Sequence, residues 1–329
     1  MRIRRIAYSL GTLTTTKQIL MISRKADKNN RVDSIWVPES WGREAFSSLG
    51  AISKITNRVK LGTSIVSVFS RSPATVAMSA ATVDKLSNIR MIIGLGVSTP
   101  ALAENWHGVR FEKPVERMKE FVECVRLILT GEKVSYNGRF FVIKDFRLSF
   151  KPIRSNIPIF VAAINERMVL LSSLLADGIL LYLRPDYELR KTVSFIRSNC
   201  GKKHFEIACV FIGAISNKNP EKARERAAKT LAFYTSVGQY YNKFLSENGF
   251  RSEVQDITDE YNKRGLNSAY KMVSDKMLDS LTICGNQEAC LRALKRFVST
   301  GISLPIIQIN PLDEGEKSIK DILGAFNNG

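Results

Sequence analysis

The chain has 329 residues, 44% hydrophobic and 24% charged, and 49 Lys and Arg against 31 Asp and Glu give it a formal net charge of +18. That apolar fraction fills a substantial core and excludes general disorder, while the length admits either one large α/β barrel or two ordinary domains. The positive charge invites a polyanion, whether nucleic acid, an anionic membrane or a phosphorylated cofactor, without choosing among them.

IRRIAY (3–8) reads as a first strand, followed by a helix over 18–29. SIWV (34–37) is a second strand, and Phe46, Leu49, Ile52 and Ile55 carry helical spacing through 45–56. KLGTSIVS (60–67) is a third strand, a small-residue helix over 74–86 follows Pro73, and RMIIGLG (90–96) is a fourth strand. Connections of this length suit right-handed β-α-β crossovers. A strong helix spans 112–129, with Pro114 in its first turn and Val115, Met118, Phe121, Val122, Val125 and Leu129 on one face. KVSY and RFFVI, parted by Asn137-Gly138, read as a hairpin inserted into the alternation. Then come strands at 158–162, 178–183 and 206–215, with helices over 167–175 and 187–197 between them. About ninety mostly helical residues separate the last of these from a final strand at 305–309.

Outside the hairpin, eight near-continuous apolar strands are the mark of parallel strands covered by helices. They predict a TIM (β/α)8 barrel with insertions. A doubly wound sheet, the rival, would have fewer strands and a glycine-rich loop after the first, where this chain has SLGTLTT with one glycine. No Pro- or Ser-rich linker interrupts the chain, so a single domain over 1–329 is the simpler organisation.

No stretch approaches the roughly 18 apolar residues of a membrane helix, and MRIRRIAYSLGTLTTT lacks a signal-length apolar run, so a cytoplasmic location is expected. Cys124, Cys200, Cys209, Cys284 and Cys290 are odd in number and form no CxxC, which suits scattered thiols in a reducing compartment. His107 and His204 cannot build a His-rich metal centre, and no DxDxDG-type loop is present, so no metal is expected.

In a barrel the chemistry gathers where strands end. Those positions are poor in nucleophile–base pairs and no GxSxG occurs, so triad hydrolysis is unsupported. Gly94-Leu95-Gly96 fails as a dinucleotide loop because Thr99 stands at the third glycine; close approach of a flat ligand or a plain turn would each explain it. Glu39 reads either as a first-turn carboxylate for the next helix or as a ligand partner and proton carrier. His107, between Trp106 and Gly108, is either structural or catalytic. The helix starting near Arg167 offers backbone amides beside Asn165, a plausible phosphate site. Lys and Arg are spread along helices, as in KARER (222–226), which favours a polyanionic cofactor over a nucleic-acid groove.

Four segments, DSIWVPESWGREAF, RVKLGTSIVSVFSRSPATVAMSAATVDKLS, IIGLGVSTPALAENWHGVRFEKPVERMKEFVECVRLIL and PIFVAAINERMVLLSSLLADGIL, occur in an order and spacing that resemble a known family. It is the luciferase-like flavin and deazaflavin oxidoreductases, and within it the branch using coenzyme F420. The likeness spans residues 1–185 and is weaker beyond. It implies a bacterial luciferase-like TIM barrel with the cofactor ring over the strand ends. In the deazaflavin branch a non-prolyl cis peptide meets the back of the ring, and the matching bond is Ser64–Ile65. Val97 and Ser98 match pocket-lining positions, the phosphate loop falls on Ala162, Ala163, Asn165 and Arg167, and Glu39 falls where an acidic residue stands near the ring. Three departures stand out. Asn165-Glu166 replaces Gly-Pro and sets a negative charge beside the phosphate, Ser40 and Thr99 replace the acid–base pair of the sugar-phosphate dehydrogenases, and Asn88-Ile89-Arg90 replaces Gly-Gly-Arg, a changed turn.

The expectation is an F420-dependent oxidoreductase acting on a small organic substrate, a methylene-tetrahydropterin being one, with Glu39 and then His107 as proton donors. The alternative is an FMN-dependent monooxygenase served by a separate flavin reductase, and a distant one is a non-catalytic, polyanion-binding barrel. The resemblance also implies a homodimer.

Overall fold

The computed structural model describes residues 5–313 and 315–326. Its strands are β1 (Ile6–Ser9), β2 (Val32–Val37), β3 (Lys60–Thr63), β4 (Val66–Ser67), β5 (Met91–Gly96), β6 (Val134–Asn137), β7 (Val142–Phe146), β8 (Ile159–Ala162), β9 (Gly178–Tyr182), β10 (Glu206–Ile215), β11 (Thr282–Gly285) and β12 (Leu304–Ile309). Eight of them, in the order β10-β12-β1-β2-β3-β5-β8-β9, are the parallel strands of a TIM barrel. They are the eight strands expected from the apolar runs. Of the first predicted strand, Ile3 and Arg4 lie outside the described residues.

Residues Ser34–Leu180 with Asn199–Phe205 form one compact unit, and the rest of the described chain forms another. In the first unit β2 pairs with β3, β3 with β5, β5 with β8 and β8 with β9, all parallel. In the other, β12 lies between β1 and β10. Every residue of β5 and of β12 is buried, as both faces of a barrel strand should be.

Helix starts follow local chemistry. Thr15 and Gln18 form a capping box at Thr16–Asp27, Ser72 caps a helix that opens with Pro73, and Asn286 caps Gln287–Val298. The helix Pro114–Leu129 buries Met118, Phe121, Val122, Val125 and Leu129, the face its spacing marks out.

Three expectations are corrected. The third strand is not continuous over 60–67: it breaks after Thr63 and resumes as β4 beside β5. The segment after β10 contains β11, four residues paired parallel to the far end of β10. TICG is too short, and ends in too flexible a residue, to stand out by periodicity. The β6–β7 hairpin is antiparallel as expected, but Asn137 pairs with Val142, so the turn is longer than Asn-Gly alone. Its shape is set from outside, because the Glu120 carboxylate accepts from the amides of Arg139 and Phe140 at 2.9 Å and of Phe141 at 3.3 Å. A β-carbon on Gly138 would stand 2.3 Å from that carboxylate, which explains the glycine.

The turn into β5 has a cost. Asn88 (φ 57°) and Ile89 (φ 65°) are both left-handed, a conformation that suits asparagine and penalises a β-branched residue. Beyond them Arg90 is buried, donating to the carbonyls of Ser53, Thr56, Val59 and Ser87. Ile89 is 46% exposed and has little packing to lose. Ile89→Gly is expected to raise the unfolding free energy by about 0.5–1 kcal/mol, the relieved strain less the glycine entropy cost. Ile89→Ala, which keeps the β-carbon, should give no such gain in the same urea titration.

Candidate functional site

The ends of β3, β5 and β8 are neighbours in the sheet, so residues just beyond them meet. Thr63 begins the arrangement. Its hydroxyl donates to the Gly94 carbonyl and accepts from the Gly94 amide, both at 2.8 Å, while Ser64 N–H donates to the Val37 carbonyl at 2.9 Å. The Ser64–Ile65 peptide is cis, at the position the family resemblance implies, and both residues are half-buried. Val97 and Ser98 leave β5 half-buried, Ser98 with φ 60°. Ala162 ends β8 half-buried beside fully buried Ala163, whose N–H donates to the Leu180 carbonyl at 3.2 Å.

The two glycines of β5 owe their identity to neighbouring chain rather than to a turn or a ligand. A β-carbon at Gly94 would lie 1.8 Å from the Thr63 carbonyl oxygen, and one at Gly96 would lie 2.6 Å from the Ile65 side chain. Packing of the broken third strand on β5 thus excludes any side chain at Gly94, and one at Gly96 would have to displace Ile65. Ile65, Val97 and Ala162, each half-buried, stand on these neighbouring strand ends.

Glu39 follows β2 and its amide donates to the Ile65 carbonyl at 3.3 Å, which ties it to the bulge. Its carboxylate accepts from Arg71 at both oxygens, 2.7 Å each, and from the Ala45 amide at 2.9 Å. Arg71 also pairs with Glu44 and lies over the Phe46 ring. Hydrogen bonding to Glu39, against the opposing effect of burial, raises the Arg71 guanidinium above its ordinary value. The pair is therefore a fixed, bidentate ion pair. The helix Ala45–Ser53 is capped by Glu44, and Glu39 adds a second carboxylate at its start.

The helix expected near Arg167 begins one residue earlier, at Glu166. Asn165 Oδ1 accepts from the Met168 amide at 2.9 Å, so that amide is already used. Those of Glu166 and Arg167 head the helix, both residues exposed. His107 is exposed and closes the π-helical turn Leu102–Trp106; among the described residues its side chain makes no hydrogen bond to the groups above. Trp106 and Trp41, each about half exposed, meet edge to face at 5.9 Å.

Sequence reasoning missed Arg71, Glu44 and the tryptophan pair. Arg71 is the first charged residue after the predicted third strand, but it lies four positions beyond Ser67 and so outside the strand-end residues. No cluster of three or more His, Cys, Asp or Glu able to hold a metal occurs among the described residues.

Glu44 offers a direct check on these charges. Burial raises its carboxyl, but the Ser47 and Phe46 amides and Arg71 outweigh this and leave it below its ordinary value of 4.5. A lowered carboxyl contributes stability that is complete above its unfolded value and is lost as pH falls through its folded one. Glu44→Gln should therefore lower the melting temperature at pH 7, and the gap to the unaltered protein should close as the pH drops below 4.5.

A family model described as luciferase-like monooxygenase matches residues 9–304. The 5,10-methylenetetrahydromethanopterin reductase of Archaeoglobus fulgidus is 25% identical over 308 residues, covering 91% of this chain and 92% of its own. A Mycobacterium tuberculosis protein named as a coenzyme F420-dependent oxidoreductase is 27% identical over 304 residues, covering 84% and 86%. The solved coenzyme F420-dependent tetrahydromethanopterin reductase from Methanopyrus kandleri superimposes with a TM-score of 0.85 at 20% identity, over 98% of this chain and 99% of that one. That likeness establishes the fold, and the family model spans most of the chain. The protein is an oxidoreductase of the luciferase-like monooxygenase family.

Proposed function

We propose that the protein is a coenzyme F420-dependent oxidoreductase acting on a small organic substrate, with a methylene-tetrahydropterin as the leading class. The observation that carries this reading is the cis Ser64–Ile65 peptide after β3, half-buried beside the half-buried Val97 that follows β5, apolar groups of the kind that suit one face of a planar ring. The names of the curated relatives, alike over most of their length, support the deazaflavin over other rings.

When bound, the deazaflavin supplies hydride transfer, since a carbon in place of the central ring nitrogen favours two-electron chemistry over oxygen activation. The chain supplies position and charge. Ser64, Ile65, Val97 and Ser98 would hold the ring, and Ala162, Ala163, Asn165 and Arg167, with the first amides of their helix, would hold the phosphate. Glu166 in that first turn already meets part of the demand for negative charge and should weaken the phosphate grip. Glu39 holds a fixed negative charge beside the bulge, and serves as proton donor only when Arg71 yields one of its oxygens. His107, exposed on its own turn, is the second donor.

The second reading is an FMN-dependent monooxygenase with a separate flavin reductase, favoured by the description of the family model. Fluorescence titration with coenzyme F420 and with FMN separates the two. Binding of F420 at micromolar concentration or tighter, weakened about tenfold by Arg167→Glu, is the expected result. Binding of FMN alone would replace the proposal with the monooxygenase.

A cytoplasmic location belongs to the same reading, in keeping with five free cysteines and no helix among the described residues long and apolar enough to cross a membrane. So does a homodimer. Leu127, Leu170 and Leu174 are exposed on the neighbouring helices Pro114–Leu129 and Glu166–Leu175, an apolar surface that a second copy would cover. Sedimentation equilibrium should give twice the chain mass, and Leu127→Glu with Leu174→Glu should return the monomer.

A further inference from the structure

Of the three tryptophans, Trp36 is fully buried, while Trp41 and Trp106 are 53% and 54% exposed and meet each other edge to face at 5.9 Å. They come from different loops, Trp41 from the one that leaves β2 and Trp106 from the one that leaves β5. Both loops start at the candidate site. Trp41 is two residues beyond Glu39, whose amide is tied to the Ile65 carbonyl, so its Cα lies within about 7.6 Å of the Glu39 Cα. The segment that carries Trp106 begins at Thr99, next to Ser98.

The second loop holds its tryptophan firmly. The Ala103 amide donates to the Thr99 carbonyl at 3.0 Å, the Gly108 amide to the Glu104 carbonyl at 3.2 Å and the Val109 amide to the Ala103 carbonyl at 3.0 Å. The Glu104 carboxylate accepts from the Phe111 amide at 2.9 Å. Trp106 is the last residue of the π-helical turn, a backbone form that is rare and frequently found at functional sites.

The bland explanation is that the two rings pin the loops together. An edge-to-face contact does that, but burying the rings would do it better, and each leaves more than half its surface to water. A protein partner is the wrong size of cover. Among the described residues of both loops, these are the only large apolar side chains that are exposed. Ser40, Gly42, Glu104, Asn105, His107 and Gly108, their exposed neighbours in sequence, are polar or lack a side chain. The apolar surface is therefore two rings wide, far short of the roughly 800 Å² per partner of a stable protein interface. It suits one flat ring, stacked on indole with its polar edge turned to the rim.

We propose that Trp41 and Trp106 form the platform on which the substrate's planar heteroaromatic ring, of the pterin class, stacks, and that this pair sets which substrates the site accepts. The proposal rests on the redox reading above, which assigns the cofactor ring to Ile65 and Val97 and so leaves these neighbouring loops to the substrate.

Anaerobic isothermal titration of the full chain with 6-methyltetrahydropterin, which has the ring but no methylene group to reduce, tests it with saturating coenzyme F420 and with none. Saturable binding is expected, weakened about tenfold by Trp41→Ala and by Trp106→Ala. Trp106→Phe should largely restore it and Trp106→Leu should not, because stacking needs an aromatic face rather than apolar bulk. Binding of F420 alone, titrated by fluorescence on each variant, should be unchanged. Both rings are more than half exposed, so the variants should fold normally, and circular dichroism confirms it. Full pterin binding in either alanine variant, no saturable binding by the unaltered chain in either condition, or equal rescue by leucine would overturn the proposal. So would loss of F420 binding in step with the pterin, which would make the pair part of the cofactor site. Failure of the unaltered chain to bind F420 would overturn the redox reading instead, and the alanine variants would still decide the platform from the titration without F420.

Discussion

The Thr63 hydroxyl, spanning the amide and carbonyl of Gly94, is the contact on which the candidate site depends. It brings the end of β3 so close to β5 that the Thr63 carbonyl occupies the place of a Gly94 side chain. With its ladder bonds diverted, the chain leaves the sheet for Ser64 and Ile65 and rejoins as β4, where Val68 N–H donates to the Gly96 carbonyl at 3.0 Å. The detour presses the Ile65 side chain onto Gly96. One buried hydroxyl and two glycines thereby turn a barrel strand into a ledge, and the Glu39 amide is hung from that ledge through the Ile65 carbonyl.

The charges beside the ledge follow from the same break. β4 carries the chain through Ser70 to Arg71, which closes on Glu39 from the preceding loop and Glu44 at the next helix start. An arginine between two carboxylates leaves one net negative charge, with both Glu39 oxygens committed to a planar fork. Such a group is better built to orient a cation or a developing positive charge than to deliver a proton at once. Of the two roles open to Glu39 in the sequence, helix-start carboxylate and ligand partner, the structure displays the first through the Ala45 amide and leaves the second compatible with it.

Fold was legible because it rests on repetition. Apolar runs such as MIIGLG and LPIIQI, buried throughout, carry their own evidence, and the helical face of Met118, Phe121, Val122 and Val125 reads directly from spacing. What escaped depends on single contacts between distant positions. Nothing local to KLGTSIVS announces that a threonine hydroxyl will cut the strand in two, and nothing in NGRFF shows that Glu120, about twenty residues earlier, will shape its turn. The candidate site positions came from family resemblance, since strand-end segments recur in order. Arg71 was missed because its partner lies 32 positions away and periodicity is blind to such pairs.

Net charge was the least readable quantity, because a count of Lys and Arg mixes structural cations with free ones. Arg90 is consumed by four backbone carbonyls, and Arg154 grips buried Asp84 with two hydrogen bonds. Arg117 lies against the rings of Phe69, Phe140 and Phe141 while burial lowers its guanidinium. Arg184, 3% exposed, bonds Glu188 and Thr192 and covers the Phe244 ring. Arginine suits such work because its fork satisfies several acceptors at once and tolerates partial dehydration better than an ammonium. The +18 is therefore not a uniform coat awaiting a polyanion, because part of it is spent inside the fold on carbonyls, carboxylates and aromatic rings.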